Sequence, residues 1–254
     1  MKKLLVAGIA VVALHGAPLL AADMPVKGIA DPLFNWTGWY GGANVAYSWG
    51  RSRVTVTDNG IGGGTVFTQS VRHDGWQASV EGGYCWQQPS AVTVACFEVR
   101  YDFPHEKGRT TITVPSGNVI PTTEIDPLLI GPHLGLTTDR NRTLWYAAGG
   151  LALGPVGGSA TVVDPQNPGT PLSVDPGTKW KAGWFVGLGL ERMIDNHWSW
   201  KVEYDYVRIG GSGSGPTATI PPGTRFGATS TVGIGGRAYD NVVTFGINYH
   251  FGSR

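Results

Sequence analysis

Apolar and polar residues alternate along this chain with a period of two, the signature of half-buried strands. From Trp39 to Trp49 one face reads Trp39, Gly41, Ala43, Val45, Tyr47, Trp49; the other reads Tyr40, Gly42, Asn44, Ala46, Ser48. A second strand sets Trp76, Ala78, Val80, Gly82, Tyr84 and Trp86 against Gln77, Ser79, Glu81, Gly83, Cys85 and Gln87. After a Gln88-Pro89-Ser90 turn, Ala95, Phe97, Val99, Tyr101 and Phe103 alternate with Cys96, Glu98, Arg100 and Asp102. Weaker strands follow at 128–138, with Pro132 inside it, and at 143–153, where the facing is ambiguous. The sixth, from about Trp180, sets Ala182, Trp184, Val186, Leu188 and Leu190 against Lys181, Gly183, Gly187, Gly189 and Glu191, with Phe185 interrupting the polar face. In the seventh, Trp198, Trp200, Val202, Tyr204 and Tyr206 oppose Ser199, Lys201, Glu203 and Asp205. The last runs from Asn241 to Phe251.

These are eight strands of about eleven residues, each spanning about 28 Å at a 40° tilt, against an apolar band of about 25 Å in an outer-membrane barrel. Three connections are tight, near Pro89, Asn141 and Asn196. Four are long, at about 51–74, 104–127, 154–179 and 210–238, and long and short alternate strictly. Outer-membrane barrels sort their loops this way; a secreted sandwich or lipocalin-like barrel has no reason to. The pattern therefore predicts an all-β fold, an eight-stranded antiparallel up-and-down transmembrane β-barrel. The long connections are rich in Gly, Pro, Thr and Ser, as in Gly210-Gly211-Ser212-Gly213-Ser214-Gly215-Pro216, and are expected to be mobile exposed segments.

The first residues set the compartment. Lys2 and Lys3 precede an apolar stretch, Leu4 to Leu14, and Ala21 and Ala22 offer a cleavage site. Residues 1–22 read as a secretory signal, too short in its apolar run to span a bilayer. The expected order is signal 1–22, periplasmic segment 23–36, barrel 37–251 and extension 252–254. Thr143 to Val163 lacks charge but holds Gly149, Gly150, Gly154, Pro155, Gly157 and Gly158, a poor helix.

Composition agrees. Of 254 residues, 39 are glycine, about twice the usual share, and only 15% are charged. Without Lys2 and Lys3 of the signal, 17 of the 19 basic residues face 18 acidic ones, a net of −1, which argues against a nucleic-acid or polybasic membrane-surface role. Seven tryptophans, Trp39, Trp49, Trp76, Trp86, Trp184, Trp198 and Trp200, are expected as an interfacial girdle.

Candidate chemistry is sparse. Cys85 and Cys96 lie on the polar faces of adjacent strands and meet if Ser90 and Ala91 centre the turn. An oxidising compartment allows a disulfide; free thiols and a metal role stay open. Glu81, Glu98, Arg100, Asp102, Lys181, Glu191, Lys201, Glu203 and Asp205 are expected to face the lumen, where buried charges must pair. The six acids outnumber the three bases, so some acids must share protons or water. Side chains fill a barrel of this size, so these charges read as a plug rather than an ion path. His73, His105 and His197 fall in loops or turns, and His133 and His250 are expected inside. No Ser-His-Asp spacing, metal box or cofactor motif appears, and Gly60-Ile61-Gly62-Gly63-Gly64 lacks the lysine and helix of a phosphate loop. No enzyme and no cofactor are expected, although outer-membrane acyl-processing enzymes share the barrel size.

Several pieces carry a family resemblance: Gly38-Trp39-Tyr40-Gly41-Gly42, Glu81-Gly82-Gly83-Tyr84, Tyr146-Ala147-Ala148-Gly149-Gly150-Leu151-Ala152, Gly187-Leu188-Gly189-Leu190-Glu191 and Trp198-Ser199-Trp200-Lys201-Val202-Glu203-Tyr204. With the final Asn241–Phe251 strand, they resemble the small outer-membrane β-barrel proteins of alphaproteobacteria. That group includes major surface proteins and haemin-binding proteins. The resemblance covers essentially the whole mature chain. It implies bacterial outer-membrane localisation, contact with lipid and lipopolysaccharide, and insertion by the barrel-assembly machinery. It also implies that Phe245, Ile247, Tyr249 and Phe251 form the assembly signal. Two departures stand out: Gly252-Ser253-Arg254 follow the usual terminal phenylalanine, and the cysteine pair is not a family feature. The expected function is a structural surface protein supporting envelope integrity. A small porin-like channel and a haemin- or host-molecule-binding protein with its ligand at the loops are the alternatives.

Overall fold

The computed structural model describes residues 33–61, 63–103, 108–125, 127–210, 215–221, 224–227 and 229–252. The expected signal, most of the segment after it, His105 and Ser253-Arg254 lie outside these. The strands are β1 (Gly38–Asp58), β2 (Thr65–Gln87), β3 (Thr93–Asp102), β4 (Gly108–Arg109), β5 (Ile112–Val114), β6 (Gly117–Ile125), β7 (Leu128–Thr138), β8 (Thr143–Val163), β9 (Leu172–Met193), β10 (Trp198–Gly210), β11 (Thr217–Thr219) and β12 (Thr231–His250). Eight of them pair antiparallel in the order β1-β2-β3-β7-β8-β9-β10-β12, and β12 returns to β1, from Tyr40↔His250 to Thr57↔Thr231. The ring is closed, which leaves no unpaired edge in lipid.

Tight turns join the strands at one end. Ala91 N–H donates to Gln88 O at 3.0 Å, with Ser90 in the left-handed region. Asp139, Arg140 and Asn141 all take positive φ, and Arg142 N–H closes that turn on Asp139 O at 3.0 Å. Asp195 accepts from the backbone N–H groups of His197 (2.7 Å) and Trp198 (2.8 Å). Those donors hold its carboxyl below the usual carboxylate range.

The facing left open by sequence is settled for β7 and β8. Leu129, His133 and Thr137 point inward from β7, and Leu144, Tyr146, Ala148 and Ala152 from β8. Pro132 faces outward, and Phe97↔Pro132 remains a register pair. All seven girdle tryptophans lie on the outer face, Trp200 half-buried and the rest exposed. Trp145 and Trp180 join them there. Ten residues separate Trp39 from Trp49 and Trp76 from Trp86, a rise of about 25 Å at barrel tilt. That equals the apolar band.

The long connections differ from the expectation of mobile loops. β1, β2, β8, β9 and β12 each continue well past the outer tryptophans as paired strand. β6 extends the line of β7 by pairing with β8 from Asn118↔Val163 to Ile125↔Val156. The inner face of this extension turns apolar and forms a second core of Val54, Val56, Val71, Val119, Ala160, Val162, Val174 and Val232. Ile112 and Val114 enter it from β5, and Ile220 and Phe226 from the segment before β12. Alternation within Val54-Thr55-Val56-Thr57 and Thr161-Val162 was the available signal; turn-forming composition outweighed it.

Polar ties fasten the top of this cap. Asp58 accepts from Ser116 N–H (3.0 Å) and Ser116 Oγ (2.7 Å). Asn59 N–H donates to Ser230 Oγ at 2.8 Å, and Arg225 O accepts from Ile61 N–H at 3.3 Å. Arg225 N–H in turn reaches Asp164 at 3.4 Å. Phe226→Ala should therefore cost the cap about 3–5 kcal/mol and open the adjacent Arg225 to trypsin in the folded protein. Limited proteolysis read by mass spectrometry checks this: the wild type should resist at Arg225, and equal cleavage in both would contradict a packed cap.

Candidate functional site

The interior is a stack of layers whose order follows β10: Ser199, Lys201, Glu203 and Asp205, then Val207 and Ile209, all buried. At the tight-turn end the segment before β1 folds across the mouth. Trp36 is 1% exposed and Phe34 6%. Trp36 N–H donates to Gln87 Oε1 (2.9 Å) and its indole N–H to Asn141 O (2.7 Å); Phe34 N–H donates to Arg140 O (3.2 Å). The Trp36 ring meets His250 edge-on at 5.3 Å. Sequence reasoning placed these residues in a periplasmic segment and missed the plug. The available signal was a Phe-Asn-Trp run just outside the alternating strand.

Above the plug, Glu191 gathers Ser199 Oγ, His250 Nε2 (3.0 Å) and Asn248 Nδ2 (3.1 Å). Ser199 Oγ also meets His250 Nε2 at 3.1 Å. A serine, a histidine and an acid in contact resemble a catalytic triad in composition only. A triad base holds nucleophile and acid on its two different ring nitrogens. Here both partners share Nε2, and Ser199 is fully buried.

Next, Cys85 pairs with Cys96 across β2 and β3, and the two are joined by a disulfide, with Cα atoms 4.0 Å apart. Lys201 Nζ then meets Glu81 (2.5 Å), Glu98 (3.5 Å) and Glu203 (3.5 Å). Arg100 meets Glu203 (2.9 Å), Asp205 (2.5 Å) and Asp102 (3.4 Å). Hydroxyls complete the net: Tyr40 donates to Glu98 (2.8 Å) and Tyr146 to Glu203 (2.6 Å), while Asn44 Nδ2 reaches Glu81 (2.8 Å). His133 stacks on Tyr146 at 5.0 Å and lies 3.8 Å from Glu98. Glu98, His133 and Glu203 could in principle hold a metal ion, with ligand atoms within 4.8 Å of one another. Both carboxylates are already engaged by Lys201, Arg100 and the two tyrosines, so the site's charge is met by protein cations.

Seven of the nine charges expected in the lumen thus come together, and Glu191 joins the lumen one layer away, with Ser199 and His250. Lys181 does not. It pairs with Gly154, half-buried, six residues from Gly187 and so about 20 Å of strand away from the net. Parity along β9 gave it the right side of the strand but not the level. Beyond Asp205 the lumen reaches His73 on Asp240, above which the lining is mainly apolar until Asp58 at the top of the cap.

Inward glycines make room for the net. A Cβ on Gly189 would lie 2.2 Å from the Tyr146 ring, and one on Gly187 2.1 Å from Asp205. A Cβ on Gly42 would lie 1.8 Å from Asn248, and one on Gly246 1.7 Å from Asn44. Tyr146, Asp205, Asn248 and Asn44 therefore each occupy space that a glycine on a neighbouring strand leaves free. Removing one cation leaves carboxylates buried without a partner. Arg100→Met should lower stability by about 3–5 kcal/mol, measured by urea unfolding in lipid vesicles. Adding Glu203→Gln and Asp205→Asn should recover part of the loss; no recovery would contradict a charge-pairing role.

Comparisons with known proteins agree with this architecture. The outer membrane protein beta-barrel domain family matches residues 10–251. The 31 kDa outer-membrane immunogenic protein of Brucella melitensis is 30% identical over 224 residues, covering 83% of this chain and 88% of that one. The 25 kDa outer-membrane immunogenic protein of Brucella abortus is 23% identical over 179 residues, covering 70% and 68%. Among solved structures, the outer membrane protein OprG from Pseudomonas aeruginosa superposes with a TM-score of 0.53 at 14% identity, covering 87% of this chain and all of that one. The chain belongs to the outer membrane protein β-barrel domain family and resides in the bacterial outer membrane.

Proposed function

We propose that the protein is a structural surface component of the outer membrane, neither a conduit nor a catalyst, that supports envelope integrity. The observation that carries this reading is the filled and doubly closed interior. Phe34 and Trp36 block the periplasmic mouth, paired charges fill the middle, and the valine-rich cap closes the extracellular end. A narrow barrel braced in this way is a rigid, lipid-matched post, and its capped strands present a firm outer surface. The unconventional Ser199–His250–Glu191 arrangement, buried beneath the plug, supports a non-catalytic role. The channel reading has less support because the inward side chains along β10, from Ser199 to Ile209, are all buried. The haemin reading has less support because inward His73, His133 and His250 already have acidic partners. Folding in the cell would use the barrel-assembly machinery, with Phe245, Ile247, Tyr249 and Phe251 on the outer face of β12 and just beyond it as the recognised signal.

A deletion strain tests the proposal. Loss of the protein should raise uptake of a hydrophobic dye and sensitivity to deoxycholate. The wild type and His250→Ala should both restore the barrier, with the barrel state of each checked by heat-modifiable gel migration. An unchanged barrier on deletion, or failure of a folded His250→Ala to restore it, would overturn the reading.

A further inference from the structure

We propose that the outer face of β1, β2, β10 and β12, just above the extracellular tryptophans, binds the phosphorylated headgroup of a lipopolysaccharide molecule in the outer leaflet. The inference rests on the outer-membrane placement of the barrel and adds a specific lipid partner to it.

Five arginines converge there. Arg51 and Arg72 are exposed and lie directly opposite one another across β1 and β2. Like charges in that position destabilise a sheet unless an anion sits between them. Arg53 follows on the same face of β1. Tyr239 pairs with Arg51 on one side and Arg208 on the other. The guanidinium groups of Arg208 and Arg237 lie over its ring, 5.8 and 5.9 Å from the centroid, and Arg237 donates to Tyr239 Oη at 3.0 Å. Arg237 stays in register with Gly210 of β10, on the same face as Tyr239, and the β1–β12 ladder turns irregular just beyond, where the register passes from Ser52↔Ala238 to Val54↔Ile234.

No carboxylate pairs with any of the five among the described residues. Asp58, Glu81, Glu203, Asp205 and Asp240 on these four strands are all buried inward. Asp74 faces outward and accepts from Tyr47 Oη at 2.8 Å. The Nε atoms of Arg208 and Arg237 are shielded from solvent and have no hydrogen-bond partner. Beside them lies a concavity of about 400 Å³ lined by Trp49, Gly50, Arg51, Tyr206, Tyr239 and Asn241.

The level selects the source of the anion. Arg51 is two residues beyond Trp49, about 5 Å above the tryptophan that marks the edge of the apolar band. Headgroup phosphates of the outer leaflet lie at that height, with acyl chains running down the apolar outer face below. Planar guanidinium groups held in place by an aromatic ring suit bidentate phosphate recognition.

The test titrates the purified, folded protein in detergent with bisphosphorylated lipid A, with dephosphorylated lipid A and with inorganic phosphate, following retained ligand by native mass spectrometry. The wild type should retain bisphosphorylated lipid A in preference to the dephosphorylated form, and inorganic phosphate should not displace it. The variant R51Q/R72Q/R208Q/R237Q should lose on the order of tenfold or more in affinity. The variant R142Q/R192Q at the periplasmic turns should not. If the fourfold variant fails to show heat-modifiable migration, R51Q and R72Q singly provide the same comparison. Equal retention by the variants and the wild type, equal retention of the dephosphorylated lipid, or displacement by free phosphate would overturn the site. A normal heat-modifiable shift in that case would leave the barrel itself intact.

Discussion

An eight-stranded cylinder in lipid has a lumen only wide enough for side chains. No water in the bilayer core offers alternative partners, so whatever points inward must fit and must be paired. The rest of the interior answers to that constraint. Arg100 and Lys201 are surrounded by five carboxylates, with Tyr40 and Tyr146 supplying hydroxyl donors. Such a net has volume, and the volume comes from absent side chains at Gly42, Gly187, Gly189 and Gly246. Part of the high glycine content therefore reflects steric complementarity between neighbouring strands.

The outer surface obeys a different rule. Lipid fixes the spacing between aromatic residues at the two interfaces. β1 and β2 meet it with tryptophans ten residues apart. Past that band β1 and β2 keep their register with each other, but the inner face changes from charged to valine-rich, because the lumen ends there and a dry core is the cheaper filling. The plug of Phe34 and Trp36 is the counterpart at the periplasmic end. Membrane span, charge net and two closures are thus successive solutions along one continuous set of strands.

Much of this was legible in the sequence because its physics is local. Alternation gave eight strands and the outer faces of six, and a turn centred on Ser90 and Ala91 sets Cys85 opposite Cys96, as the register shows. What escaped depends on information that alternation does not carry. Lys181 has the right parity but the wrong height, since height requires the stagger between strands. Trp36 precedes the pattern and acts by folding back across the mouth. The cap was hidden because its valines are interleaved with threonine, glycine and proline, and because Ile220 and Phe226 come from a segment with no period at all. The Ser199–Glu191–His250 contact adds a histidine more than fifty residues away to a pair on one hairpin, and strand alternation does not reveal that meeting.

The central claim is that paired charges fill this barrel and that it is closed at both ends. Single-channel recording of the folded protein in planar bilayers tests it most directly. The account predicts no discrete conductance steps across a wide voltage range for the wild type. Reproducible unitary steps, abolished when the protein is unfolded, would contradict it.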